Sequence, residues 1–248
     1  MRKVVIVTGA SSGIGAATAI LAAARGYDVG IGFANGRNGA EQVAQQVQNA
    51  GGKAALLQGD VADPNDVQRI FAQCDAELGP LAALVNNAGI GASASRVADL
   101  DHPRLKRMFE INVIGCFLCA QQAVRRMSTR TGGAGGVIVN VSSKAATLGG
   151  ANVFVDYAAS KGAIDTFTKG LSDEEAAYGI RVNGIRPGII ITDFHDKMGE
   201  PDRVSRFDSM IPMKRAGSAE EVAEAILWLM SDQASYVTGT TFDVSGGR

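Results

Sequence analysis

Three features of this sequence predict an α/β fold built on a parallel sheet. Short β-branched runs alternate with longer segments of helical period along the chain, which is the pattern of βαβ units. Runs such as KVVIVT and GVIVNV are apolar almost throughout, as strands covered on both faces are. The first of these runs leads directly into a glycine-rich turn and then into a helical segment.

Strands are expected near 3–8, 28–33, 53–58, 81–86, 136–141, 180–186 and 240–244. Helices are expected between them, near 13–25, 38–50, 64–78, 102–128, 157–178 and 218–231. The first helical pattern, AATAILAAARG, starts at once after the glycine turn. The third helix opens on Asp63-Pro64, an N-cap followed by proline at the first helical position, and Gly79 stops it. The fourth runs through the apolar stretch INVIGCFLCAQQAV, after which TRTGGAGG is short enough to lead into the fifth strand. The fifth reads YAASKGAIDTFTKGLSDEEA, and the last begins at Ser218, where Glu221 completes a capping box. With no solenoid repeat and no long polar linker, one domain over 1–248 is expected.

Of the 248 residues 31 are glycine, without a Gly-X-Y period and with only 6 prolines, while 46% are apolar. Collagen-like and disordered chains are thereby excluded, and glycine must serve local backbone needs. A net charge of −1 and a pI near 6.1 advertise neither a nucleic-acid nor an anionic-membrane partner. No run of about 18 apolar residues offers a membrane span. The N-terminus reaches glycine and threonine before a signal-peptide core could form, and cysteines number only 3, so a cytoplasmic protein is expected. Cys116 and Cys119 raise the thought of a redox pair or half a zinc site. Their apolar helical run, with no second cysteine or histidine cluster, favours core packing, and no metal is expected.

Two motifs carry chemistry. After the first strand comes Thr8-Gly9-Ala10-Ser11-Ser12-Gly13-Ile14-Gly15, where glycines let the backbone bend and approach a pyrophosphate met by amides and the helix dipole. The spacing G-x3-G-x-G lacks the Gly-Lys-Ser/Thr of a nucleoside-triphosphate loop. The second motif is Tyr157-x3-Lys161, whose spacing puts both side chains on one helix face. An ammonium beside a phenol favours the phenolate, so the two form a proton-transfer pair. Strand ends supply their company: Asn86-Asn87-Ala88-Gly89 and Ser142-Ser143 are small and polar where open α/β sheets bind ligands. Asn112 lies inside an apolar helical stretch, where a buried amide needs a specific partner.

Taken together, TGASSGIG at 8–15, Asp60-Val61, NNAG at 86–89, Asn112, Ser143, Tyr157-x3-Lys161, RVNGIRPG at 181–188 and YVTGTTFDVSGG resemble the classical short-chain dehydrogenase/reductase family over essentially the whole chain. The sequence looks closest to glucose-dehydrogenase-like and 3-oxoacyl-reductase-like bacterial members. The resemblance implies one Rossmann-like, doubly wound domain with seven parallel strands ordered 3-2-1-4-5-6-7 and helices on both faces. It implies an NAD(P)-dependent oxidoreductase acting on a small-molecule carbonyl or alcohol. Tyr157 would be the general acid or base, Lys161 would support it and bind the nicotinamide ribose, Ser143 would orient the carbonyl, and Asn112 would hold a relay water. Ser143 and Tyr157 are 14 positions apart, one more than is common in the family, which implies an insertion between them.

The resemblance further places Gly9, Ser11, Ser12, Gly13, Ile14 and Gly15 at the phosphates, Asp60 and Val61 at adenine, Asn87 and Ala88 by the adenosine ribose, and Gly89 among the cofactor-binding residues at that strand end. Ile190 and Thr192 would meet the carboxamide with Pro187 and Gly188 shaping that turn of the cofactor site, and residues 193–213 would form a substrate lid containing His195, Met198, Phe207, Met210 and Ile211. After the second strand no acid precedes Glu41, while Arg37 suits a 2′-phosphate, so NADP(H) is favoured over NAD(H). A homotetramer is implied as well. A nucleotide-sensing regulator on the same fold, with the Asn112, Ser143, Tyr157, Lys161 set eroded, is the alternative. A sugar-nucleotide epimerase or dehydratase would need a larger substrate domain after the seventh strand.

Overall fold

The structure is a computed structural model and describes residues 2–200, 202, 204, 206 and 208–248. Phe207 lies outside these, as does the side chain of His195. Seven strands form one parallel sheet: β1 Lys3–Val7, β2 Tyr27–Phe33, β3 Ala54–Gln58, β4 Leu81–Asn86, β5 Gly136–Val141, β6 Ile180–Pro187 and β7 Thr241–Val244. Their order is β3-β2-β1-β4-β5-β6-β7, as expected. The described helices are α1 Gly13–Ala24, α2 Arg37–Asn49, α3 Pro64–Leu78, α4 His102–Phe109, α5 Gly115–Met127, α6 Ala145–Leu148, α7 Val155–Glu175, α8 Phe194–Lys197 and α9 Ala219–Met230.

Alternation along the strands builds two cores. Val5 and Val7 of β1 face α1, α2 and α9, whereas Val4 and Ile6 face α3 and α5. The helix boundaries follow their caps. Asp63 Oδ1 accepts from the Asn65 amide at 2.8 Å, Gly79 takes a φ of +97°, and Ser218 with Glu221 closes the capping box. Cys116 and Cys119 are buried, and burial pushes the Cys116 thiol up to about 12 and the Cys119 thiol higher still. They are core residues, as their helical run suggested.

Two elements differ from expectation. The helix expected over 102–128 is interrupted by a π segment, Glu110–Ile114, that separates α4 from α5. Apolar periodicity continues through a π-turn, so it left no break in the pattern. The interval between Ser143 and Tyr157 holds α6 and a turn in which Gly149, Gly150 and Asn152 all have positive φ. Among the described residues, no helix is long and apolar enough to cross a membrane.

Candidate active site

The carboxyl ends of β1 to β6 open onto a crevice of about 800 Å³. One wall is the turn between β1 and α1. Gly9 has a φ of +65°, and a Cβ there would stand 2.9 Å from Ala88 Cα. At Gly15, beneath the surface, a Cβ would collide with the Gly9 carbonyl and the Asn87 amide. The same Asn87 side chain donates to the carbonyls of Thr8 (2.9 Å) and Gly9 (3.0 Å), while Thr8 Oγ1 accepts from the Asn87 and Ala88 amides. The turn is therefore stitched to the end of β4. Ser12, the N-cap of α1, makes no side-chain cap on the first turn, and Ser12, Gly13 and Ile14 at this helix start line the crevice. Close backbone approach together with a helix N-terminus fits a dinucleotide pyrophosphate.

At the far end Asp60 accepts from the Ala62 amide at 3.0 Å and pairs with Arg107 at 2.6 Å. Burial works to raise the Asp60 carboxyl, but the Ala62 and Arg107 contacts outweigh it and hold the group below the usual carboxylate range. Val61 is buried against Gly115, where a Cβ would lie 2.7 Å from Val61 Cγ2. Gly32, Phe33, Ala34 and Asn35 bring the end of β2 to the crevice. Arg37 is exposed and does not line it; Nε donates to Glu41 (2.9 Å) and Nη1 to Gln58 (3.2 Å).

Ser143, Tyr157 and Lys161 line the opposite end together with Pro187, Gly188, Ile190 and Thr192. Ser143 Oγ accepts from the Ala145 amide at 3.1 Å, whereas Ser142 is buried and donates to the Lys161 carbonyl at 3.1 Å. Lys161 reaches up from α7, with Nζ donating to the Val141 carbonyl at 2.8 Å and 5.8 Å from the centre of the Tyr157 ring. Burial lowers its amine to about 8, against the opposing pull of Cys116 and Asp165.

Asn112 does not line the crevice. It lies in the π segment with its amide committed: Oδ1 accepts from the Ile90 amide at 2.8 Å, and Nδ2 donates to the Ile90 carbonyl (3.0 Å) and Ser160 Oγ (3.1 Å). Gly89 separates it from the lysine, for a Cβ there would lie 3.3 Å from Asn112 Oδ1 and 3.4 Å from Lys161 Nζ.

A family model described as enoyl-(acyl carrier protein) reductase matches residues 9–248. The chain is 53% identical over 245 residues, 99% of each protein, to the uncharacterized oxidoreductase YgfF of Escherichia coli K12. It is 38% identical to 3beta-hydroxysteroid dehydrogenase 1 of Eggerthella lenta, covering 99% of this chain and 93% of that one. The crystal structure of a short-chain dehydrogenase/reductase from Mycobacterium marinum superposes with a TM-score of 0.92 at 33% identity, over 99% of this chain and 94% of the other. This chain belongs to the classical short-chain dehydrogenase/reductase family. It is an oxidoreductase of CH–OH and C=O groups that works with a nicotinamide cofactor. The regulator alternative finds no support among relatives named as enzymes.

Sequence reasoning missed one feature of this enzyme's site. Asp156, directly before Tyr157, has a fully buried side chain and takes Arg104 Nε at 2.8 Å and Nη2 at 3.3 Å. Arg104 Nη1 also donates to the Ser93 carbonyl at 2.8 Å, joining α4, α7 and the loop after β4. An Asp in a first helical turn reads as a dipole partner, and no local pattern points 52 residues back to its arginine.

Proposed function

We propose that the enzyme interconverts a carbonyl and an alcohol with Tyr157 as the proton-transferring group, Ser143 as the orienting donor and Lys161 as the supporting cation. The convergence of these three at one end of a crevice whose other wall suits a pyrophosphate carries this reading. A bound nicotinamide dinucleotide supplies the hydride in reduction and accepts it in oxidation. The Tyr157 hydroxyl protonates the carbonyl oxygen in one direction and receives the proton in the other. Ser143 Oγ donates to that oxygen, and Lys161 adds charge beside the phenol and a donor for the ribose. Asn112 acts by position: its amide fixes the Ile90 backbone, and the glycine at 89 leaves space between it and Lys161 for a relay water. Replacing Tyr157 by Phe is expected to lower kcat about 10²–10⁴-fold with little change in cofactor affinity read by nicotinamide fluorescence. Unchanged turnover would remove Tyr157 from its role.

In the same reading Gly9, Ser11, Ser12, Gly13, Ile14 and Gly15 hold the phosphates, Asp60 and Val61 the adenine, Asn87 and Ala88 the adenosine ribose, and Ile190 and Thr192 the carboxamide, with Gly89, Pro187 and Gly188 shaping the strand ends against the cofactor. NADP(H) is the favoured cofactor, because no carboxylate stands at the end of β2 to claim a ribose 2′-hydroxyl. Arg37 is the cation nearest in sequence, and a 2′-phosphate would draw it from Glu41. Comparison of kcat/KM for NADPH and NADH tests this, and a preference for NADH overturns it. Residues 1–248 act as one domain with 193–213 as its lid, in a cytoplasmic homotetramer.

A further inference from the structure

Around Tyr157 the chain builds an apolar chamber separate from both cores of the sheet. Phe154 meets the Tyr157 ring edge-on with centroids 5.9 Å apart, and Phe194 meets it at 5.9 Å and 47°. Ala145, Val153, Ala158 and Met198 complete the cluster. Met198 is 4% exposed although Asp196 and Gly199 are exposed, and together with Phe194 it packs the segment after β6 onto this cluster. It rests on Gly91 in the loop after β4, where a Cβ would lie 2.5 Å from Met198 Sδ and 2.7 Å from Cγ. The walls are tied by the Ser95 amide, which donates to the Val153 carbonyl at 2.9 Å.

Among the described residues lining the crevice, Lys161 is the charged side chain beside this cluster, its Nζ 5.8 Å from the centre of the Tyr157 ring. Asp60 pairs with Arg107, and Asp193 accepts from Ser12 Oγ at 3.2 Å by the glycine turn. Lys144 pairs with Asp243 at 2.6 Å, and Lys161 is held by the Val141 carbonyl. Arg248 stands where the crevice adjoins a second cavity, shared with Lys144 and Ile190. A ketone needs one polar meeting point, which Tyr157 and Ser143 provide. A polyhydroxylated carbonyl would bury hydroxyls against Phe154, Phe194 and Met198, side chains that offer no strong hydrogen bond in return, which is costly.

We infer that the substrate is a neutral, apolar ketone or its secondary alcohol, and that Met198, seated on Gly91, sets the size of carbon skeleton admitted. This rests on the proposed reaction for the placement of the carbonyl at Tyr157. A matched pair of ligands tests it: cyclohexanone and its pentahydroxy analogue, titrated by saturation-transfer NMR into the enzyme saturated with NADP⁺, where no hydride is available and binding alone is read. Cyclohexanone is expected to bind at least tenfold more tightly. Equal affinity, tighter binding of the hydroxylated ring, or no binding of cyclohexanone overturns the substrate class. Met198→Ala is expected to raise the affinity of 4-tert-butylcyclohexanone relative to cyclohexanone at least fivefold without changing NADP⁺ affinity, and an unchanged ratio removes Met198 from its role. Should cyclohexanone bind as stated yet be reduced equally by wild type and Tyr157→Phe, the proposed reaction fails while the substrate class stands.

Discussion

Lys161 approaches the crevice from a buried position on α7, and burial brings its amine from 10.5 down to about 8. Between those values the unfolded chain holds a proton that the folded chain has released. Stability of the cofactor-free protein therefore rises with pH across that window, while below about 8 both states are protonated and the full penalty is present. The penalty is roughly 3 kcal/mol at about 1.36 kcal/mol per unit. Lys161→Met removes this titration, so its urea-unfolding free energy is expected to climb less between pH 8 and 10.5 than that of the wild type. Parallel curves would show that the lysine is not desolvated. Asn112 is the residue whose oddness in the sequence was legible, since an amide in an apolar run demands a partner. Its partner, the Ile90 backbone, was not, because 22 positions and a strand end separate the two.

The elements around Tyr157 are held by a salt bridge that crosses three of them. Arg104 of α4 carries the buried Asp156 of α7 and the Ser93 carbonyl, so one guanidinium sets the spacing between α7 and the loop after β4. Removing one partner of a buried pair leaves an uncompensated charge. Arg104→Met is expected to lose about 3–5 kcal/mol in chemical denaturation, and Arg104→Met combined with Asp156→Leu is expected to regain a large part of it. Recovery of stability without recovery of kcat/KM would show that the bridge also positions Tyr157. The π segment belongs to this scale as well. Its extra backbone residue turns Asn112 toward Ile90, and the apolar pattern on either side reads as one uninterrupted helix.

For the molecule as a whole, two groups of exposed apolar side chains on the helices and the last strand bear on assembly, apart from others such as Val97, Leu148 and Ile191. Phe109 (36% exposed), Ile114 (48%) and Phe117 (42%) lie along α4, the π segment and α5, with Phe117 stacked on Phe167 of α7 at 3.8 Å. Trp228 of α9 packs edge-on against Phe242 of β7 at 5.8 Å, both partly exposed, and Tyr236 is fully exposed nearby in sequence. Two such faces suit a tetramer assembled from dimers. Light scattering is expected to give four chains for the wild type and two for Phe117→Asp with the fold retained; a monomeric wild type would contradict the assembly.

The alternation of strands and helices, the parallel sheet, the glycine turn and the Tyr157-x3-Lys161 pair were legible in the sequence because each arises from local periodicity or short-range spacing. Strand order and the ordered set of site residues followed from resemblance to a family, and the sheet bears the order out. Only the tertiary structure decided what those residues touch. It committed the Asn112 amide to Ile90, brought Arg37 to Gln58, brought Arg104 to Asp156 and seated Met198 on Gly91. Each of those contacts joins segments whose approach depends on how helices pack across the sheet, and that packing is a property of the whole chain rather than of any stretch of it.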